Sequence, residues 1–209
     1  MPNENAIAET SIGYLSMLEF ADHGYFGGYL LISLFGRPLE FHCTAPVRPS
    51  RAQRILYGPT LEPYLLGEQI AAALLGAAKI SPSLILTDRE ATLHIRTRSQ
   101  VPIVLLSQNG GPSTEALRQI QDSQPTDKAS TQLDCHATLS AGSHRTFGVS
   151  VYDFQLPLGF EADRDEAVRL LNELSRQVDL AEPFHRIYEA IREAQRLGDR
   201  DAETHDQAA

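Results

Sequence analysis

The segment Tyr29–Phe35 limits the possible fold more than any other part of the sequence, because its side chains are apolar at almost every position. Side chains alternate across an extended strand, so a strand that is apolar on both sides needs cover on both sides. The turn sequence Gly36-Arg37-Pro38 follows, and residues 39–45 return as an alternating strand. The pattern predicts an N-terminal hairpin whose first strand lies inside a covered sheet.

Further strand-like and helix-like segments follow the same layered scheme. Residues 11–20 are a mixed apolar strand, and residues 61–78 carry apolar side chains at helical spacing. Two short apolar segments, 83–87 and 101–106, predict buried strands. The roughly 13 residues between them fit a crossover helix capped by Asp88, which would make the two strands parallel. They also fit another strand, and the sequence leaves both readings of residues 87–100 open.

The C-terminal quarter predicts a pair of amphipathic helices. Strands are expected over 132–140 and 145–155, before Asp163 and Glu166 begin one helix as a capping box. Asp179 and Glu182 repeat this pattern, and Gly198 is expected to end the second helix. The fold class is therefore α/β or α+β. A mixed β-sheet with an N-terminal hairpin is packed by a central helix and a C-terminal helix pair.

The domain organisation follows from composition along the 209 residues. We expect one domain over residues 11–198, with a mobile insertion at about 122–132 and flexible tails at 1–10 and 199–209. The N-terminal residues lack the basic and apolar regions of a signal peptide, and no apolar run reaches the roughly 20 residues of a membrane span. These features predict a cytoplasmic protein in which Cys43 and Cys135 are buried, reduced thiols.

The charge distribution points to a contact surface. The chain has 18 Lys and Arg against 27 Asp and Glu, for a net charge of −9, so a general nucleic-acid binder is not expected. Residues 37–54 are locally basic, however, with one glutamate against four arginines: Arg37, Arg48, Arg51 and Arg54. Phe and Tyr residues are concentrated in the same part of the chain. The leading hypothesis is a binding or assembly module that contacts a protein partner or a small anionic ligand through residues 24–57.

A second hypothesis comes from a repeated carboxylate-x-His-x-Thr pattern. Glu40 and His42 share one strand face, and Asp134 and His136 share a face of another predicted strand. If the two strands are neighbours, these four side chains can converge as a general-base site or as ligands of a divalent metal such as zinc. The alternative is therefore a metal-dependent or His/carboxylate hydrolase. The competing structural interpretation is an exposed polar sheet face.

Nucleotide-binding and hydrolase signatures such as GxxxxGK[ST], GxGxxG, GxSxG and HExxH do not occur in the sequence. The sequence alone therefore leaves open whether the chain is an enzyme. It also leaves open the oligomeric state, the ligand and the identity of any partner.

Overall fold

The fold is built on a seven-stranded mixed β-sheet. The computed structural model describes residues 10–20, 23–107 and 144–206. The strands are ordered β3-β2-β1-β4-β5-β7-β6. Their bounds are Ser11–Phe20 (β1), Gly24–Ser33 (β2), Pro38–Cys43 (β3), Leu84–Thr87 (β4), Ile103–Leu106 (β5), His144–Val149 (β6) and Tyr152–Pro157 (β7).

The strand directions confirm the predicted α/β architecture. β1, β2 and β3 form antiparallel neighbours, and β1 and β2 pair along their whole length from Ser11↔Ser33 to Phe20↔Gly24. β4 lies parallel to β1, and β5 lies parallel to β4. β7 then pairs antiparallel with both β5 and β6. The N-terminal hairpin and the parallel pair β4–β5 are therefore both present, within one mixed sheet.

Helical segments connect and cover the strands. The central helix extends over 61–77, close to its predicted bounds, but most of it has π-helical hydrogen bonding. Residues 87–100, which the sequence left undecided, contain a 3-10 helix. The bounds are Arg51–Tyr57 (α1), Pro63–Ala71 (the π-helix), Ala72–Ala77 (α2), Arg164–Leu174 (α3) and Glu182–Asp206 (α4), with 3-10 helices at Gly58–Thr60, Glu90–Thr97 and Glu161–Asp163.

The two faces of the sheet carry separate hydrophobic clusters. On one face, α3 and α4 pack against strand residues such as Tyr14 and Leu30. On the other face, the π-helix, α2 and the 3-10 helix at 90–97 pack against residues such as Leu15 and Leu31. Neighbouring strand residues thus enter opposite clusters, as the alternation of side chains requires. The sheet is covered on both sides, which explains why β2 is apolar throughout.

Two consecutive glycines in β2 allow both helical layers to come close to the sheet. A Cβ atom at Gly27 would overlap the side chains of Ile70 and Leu74 on one face. A Cβ atom at Gly28 would overlap Ile187 of α4 on the other face. Both positions have ordinary extended backbone, so glycine is not needed here for an unusual backbone conformation. It is needed for the close approach of the two helical layers.

Three local expectations near the C-terminus are wrong. The segment expected as one strand over 145–155 forms two strands, joined by a tight turn in which Ser150 has a φ of 57°. Asp163 directly precedes α3, but its carboxylate accepts from Arg96 and makes no capping hydrogen bond to the helix. The last helix also continues beyond Gly198 to Asp206. A glycine can be tolerated inside a helix, and intrinsic propensity alone therefore does not set this end. The strand expected over 132–140 lies outside the described residues.

Among the described residues, none of the helices combines the length and the apolar character that crossing a membrane requires. The division into one domain with flexible tails stays a prediction.

Candidate functional site

The structure places Glu40 and His42 together on β3, as their spacing predicted. Nε2 of His42 lies 3.7 Å from a carboxylate oxygen of Glu40, and the imidazole stacks beside the ring of Tyr29 at 6.4 Å between centroids. The Glu40 carboxylate also accepts hydrogen bonds from the backbone N–H groups of Lys79, at 3.1 and 3.2 Å, and Ile80, at 3.4 Å. This carboxylate therefore anchors the chain that leaves α2.

The other half of that candidate site, Asp134 and His136, lies outside the described residues. Within the described part of the chain, no group of three or more His, Cys, Asp or Glu side chains is arranged to hold a metal ion. Nε2 of His42 is buried and has no hydrogen-bond partner in this part of the chain. The four-residue catalytic or zinc site therefore stays a prediction.

The four predicted arginines do not form one cluster. Arg37 lies after β2, in the turn that leads into β3, whereas Arg48 donates a hydrogen bond to the carbonyl of His23 beside the start of β2. The ten residues of β2 separate these two ends by about 30 Å at the usual rise of a strand. Arg51 and Arg54 lie on α1 and are exposed. An anion-binding group of all four side chains is therefore not formed.

α1 is an exposed helix with an apolar side that nothing in the described structure covers. It begins at a complete capping box, in which Ser50 and Gln53 bond each other's backbone N–H groups. None of its seven residues is buried. Ile55 and Leu56 are 71% and 80% exposed, although such side chains are normally found inside. We call Ile55 and Leu56, with Arg51 and Arg54, the α1 surface.

Aromatic side chains continue this surface towards the central helix. Tyr57 stacks on Tyr64 with 4.4 Å between ring centroids. Tyr25 lies beside Arg54, and burial, together with the nearby Glu19 carboxylate, raises the pKa of its hydroxyl group. The predicted contact region 24–57 therefore contains an exposed surface formed by α1 and its aromatic neighbours, while Phe35 (77% exposed) and Phe41 (41% exposed) lie apart from it on the β2–β3 hairpin.

The expected burial of Cys43 is wrong. Cys43 does point to the face opposite His42, where its partner across the sheet is Gly28. Its thiol is nevertheless free and exposed. The reason is topological, because β3 is the edge strand and α4 packs on β1 and β2. Cys135 lies outside the described residues.

A buried polar cluster between the middle of β1 and the carboxyl end of β4 was not predicted from the sequence. The parallel register pairs Leu15 with Thr87, so the next residues, Ser16 and Asp88, lie side by side. Ser16 donates a hydrogen bond to Asp88 at 2.6 Å, and the hydroxyl of Tyr188 on α4 donates to the other carboxylate oxygen. Asp88 is 5% exposed, and the other two residues are fully buried. Asp88 was expected to cap a helix, but it binds α4 to the sheet instead.

Neighbouring groups stabilise the arrangement of this cluster. Arg89 donates two hydrogen bonds, at 2.9 and 3.1 Å, to the carbonyl of Met17. Burial and the Asp88 carboxylate raise the pKa of Tyr188, so this hydroxyl remains a proton donor at neutral pH. The cluster lies beside the carboxyl end of β4, and ligands bind at the carboxyl ends of parallel strands in open α/β sheets. Here the carboxylate at this end is bonded to the hydroxyl of Tyr188.

The chain is similar in structure to several solved proteins, while no family model and no curated protein matches it. Human endonuclease V is 13% identical, with a TM-score of 0.40 over 92% of this chain and 89% of that chain. Endonuclease V from Ciona intestinalis, in complex with a 24mer DNA containing an inosine, is 13% identical with a TM-score of 0.37. A variant of that enzyme with a 23mer DNA is 11% identical, again at 0.37; both cover 71% of this chain and 70% of theirs. Similarity at this level carries no activity over to this chain.

The expectation that this chain is not a general nucleic-acid binder is corrected. It rested on the net charge of −9, and two of the similar structures are complexes with DNA. A net charge sums over the whole chain, whereas binding depends on the charge of one surface. The overall charge is therefore no ground for excluding this class of partner.

Proposed function

We propose that this protein is a binding module that contacts a partner protein through the α1 surface. The observation that carries the proposal is the exposure of Ile55 and Leu56, at 71% and 80%, on a helix without a buried residue. Neighbouring exposed aliphatic side chains at this level are typical of surfaces that bind another protein. Their transfer from water would supply about 25 cal/mol for each square ångström buried.

The polar side chains around this pair support the same proposal. Arg51 and Arg54 are exposed on the same short helix, which has no acidic residue in its first turn. Arginine is enriched at protein interfaces, where its planar guanidinium group binds carboxylates through paired hydrogen bonds. The stacked rings of Tyr57 and Tyr64 add rigid aromatic area at the side of the helix. An apolar centre with a polar rim is the usual composition of such an interface.

The test replaces the apolar centre and leaves the fold intact. Because Ile55 and Leu56 are exposed, the free energy of unfolding of the Ile55→Ser/Leu56→Ser variant should differ from that of the wild type by no more than about 0.5 kcal/mol. Size-exclusion chromatography with light scattering measures self-association, and affinity purification with quantitative mass spectrometry measures partners. We expect the variant to lose the wild-type complex. The matched control is Val151→Ser, which replaces a 62% exposed apolar residue in the β6–β7 turn. This control variant should still form the wild-type complex.

The same measurements can reject the proposal. A wild-type chain that is strictly monomeric and enriches no protein over a tag-only control contradicts it. A serine variant that keeps the full wild-type complex contradicts it as well, since the contact would then lie elsewhere. If Arg51→Ala/Arg54→Ala weakens binding and reduces its salt dependence, the arginines form the rim. Recovery of nucleic acid in place of a protein would also overturn the proposal. The hydrolase alternative and the cytoplasmic location stay predictions.

A further inference from the structure

A cavity of about 350 Å³ lies on the α4 side of the sheet, and no residue of the α1 surface lines it. Its walls come from the start of β2, the chain after β3, and α4. Most of the exposed wall is apolar and is formed by Phe26, Ala45, Pro46, Ile191 and Ala194. Concave, largely apolar spaces of this size are the usual form of a small-molecule site.

The walls of this cavity are held in place by the surrounding fold. Thr44 binds β2 twice, because its N–H donates to the carbonyl of Gly27 at 3.0 Å and its hydroxyl accepts from the N–H of Gly27 at 2.9 Å. On the opposite side, Ile191 is 1% exposed and packs against the space that Gly28 leaves open. The cavity is therefore preformed, and binding would not require the walls to become ordered.

We propose that this cavity binds a small uncharged aromatic molecule with a single polar substituent. A 150 Å³ apolar cavity in a protein can hold benzene, so a space of about 350 Å³ accommodates about two rings. The ring of Phe26 and the aliphatic side chains offer a matching apolar contact. This site is independent of the α1 surface, and it extends the function beyond protein binding.

The polar part of the wall sets the charge of the ligand. Its polar side chains are His23, Cys43, Thr44 and Gln195, and none of the described lining residues is a carboxylate, an ammonium or a guanidinium group. An ionised ligand would lose its hydration without gaining a counter-charge, which is costly. A hydroxyl or amide substituent can instead exchange hydrogen bonds with the hydroxyl of Thr44. A neutral ligand is therefore preferred over the anionic ligand expected from the sequence.

The experiment uses 2-naphthol as the neutral probe and 2-naphthoate as its charged counterpart. Isothermal titration calorimetry gives both affinities for the full chain at pH 7. The exposed thiol of Cys43 supplies a second, local measurement, because a bound probe should slow its alkylation by iodoacetamide in a Cys135→Ser background. We expect 2-naphthol to bind at least about tenfold more tightly than 2-naphthoate and to slow alkylation about tenfold at saturation.

Two variants fill the cavity from opposite walls, and one control adds the same bulk elsewhere. Ala194→Phe on α4 and Ala45→Phe after β3 replace exposed residues that line the cavity, and each should weaken 2-naphthol binding by about tenfold or more. Ala73→Phe, on an exposed position of α2, should leave it unchanged. Thermal unfolding confirms that each variant is folded.

Three results would overturn this inference. They are the absence of 2-naphthol binding up to about 1 mM, an affinity for 2-naphthoate equal to that for 2-naphthol, or binding that both filling variants leave unchanged. None of these results bears on the α1 surface, whose test depends on different residues.

Discussion

Replacing Tyr188 with phenylalanine removes one hydroxyl donor from the buried Asp88 carboxylate while it keeps the ring in the core. In the wild type this carboxylate accepts hydrogen bonds from Ser16 and Tyr188. A hydrogen bond to a charged group contributes about 1.5–3 kcal/mol, so we expect Tyr188→Phe to lower the free energy of unfolding by about 2 kcal/mol. With a urea m-value of about 2 kcal/mol/M, the midpoint should fall by about 1 M.

Ser16 provides a second perturbation of the same acceptor. Ser16→Ala alone should also destabilise the fold, because it removes the other of these two hydroxyl donors. The double variant leaves a carboxylate that is 5% exposed without either hydroxyl. Because the two hydroxyl groups share one buried acceptor, the loss of stability in the double variant should differ from the sum of the two single losses by more than about 0.5 kcal/mol.

Urea unfolding followed by far-ultraviolet circular dichroism at pH 7 measures all of these changes. The matched control is Tyr64→Phe, which removes an exposed hydrogen bond from Gln69 and should change stability by less than about 0.5 kcal/mol. The reasoning is refuted if Tyr188→Phe is as mild as this control. Strict additivity of Ser16→Ala and Tyr188→Phe would also refute the shared-acceptor argument.

Three further predictions concern the buried tyrosines, the glycines and Cys43. Burial raises the pKa of Tyr14 and Tyr188 above their ordinary value of 10.0, so the unfolded chain loses these two protons near pH 10 while the folded chain keeps them, and stability falls as the pH rises above 10. Urea unfolding at pH 9 and pH 11 should show a total loss of about 1.4 kcal/mol for each group over this interval. Gly28→Val should destabilise by about 3 kcal/mol or more, because its side chain would overlap α4, whereas Gly76→Ala, where a Cβ meets open space, should be neutral or slightly stabilising in the same assay. The native chain should react with Ellman's reagent at Cys43 without denaturant, and a thiol that reacts only after unfolding would contradict its exposure.

The candidate sites were predicted unequally well, and the difference has a physical cause. The pairing of Glu40 with His42 depends on alternation along one strand, which is a local property of extended backbone. The grouping of Arg37 with Arg48 assumed that nearness in sequence is nearness in space. β2 and β3 form a hairpin, however, and the length of β2 separates these two side chains. Residues close in a sequence can therefore lie at opposite ends of a sheet.

The buried cluster of Ser16, Asp88 and Tyr188 could not be predicted from the sequence. Ser16 and Asp88 are 72 residues apart, and Tyr188 is a further 100 residues along the chain. A serine within an apolar strand and an aspartate after another strand are common, so neither residue is a signal by itself. Their contact depends on the parallel register of β1 and β4 and on the path of α4 across the sheet.

The sequence by itself determined the properties that arise from local periodicity. These are the hairpin, the apolar β2, the short strands at 84–87 and 103–106, the amphipathic central and C-terminal helices, and hence a mixed sheet covered on both faces. The tertiary structure alone decided that β3 is an edge strand, and Cys43 is exposed for that reason. It also decided that α1 remains uncovered, so that Ile55 and Leu56 are exposed. Exposure depends on what packs against a residue, and packing partners are chosen by the whole chain.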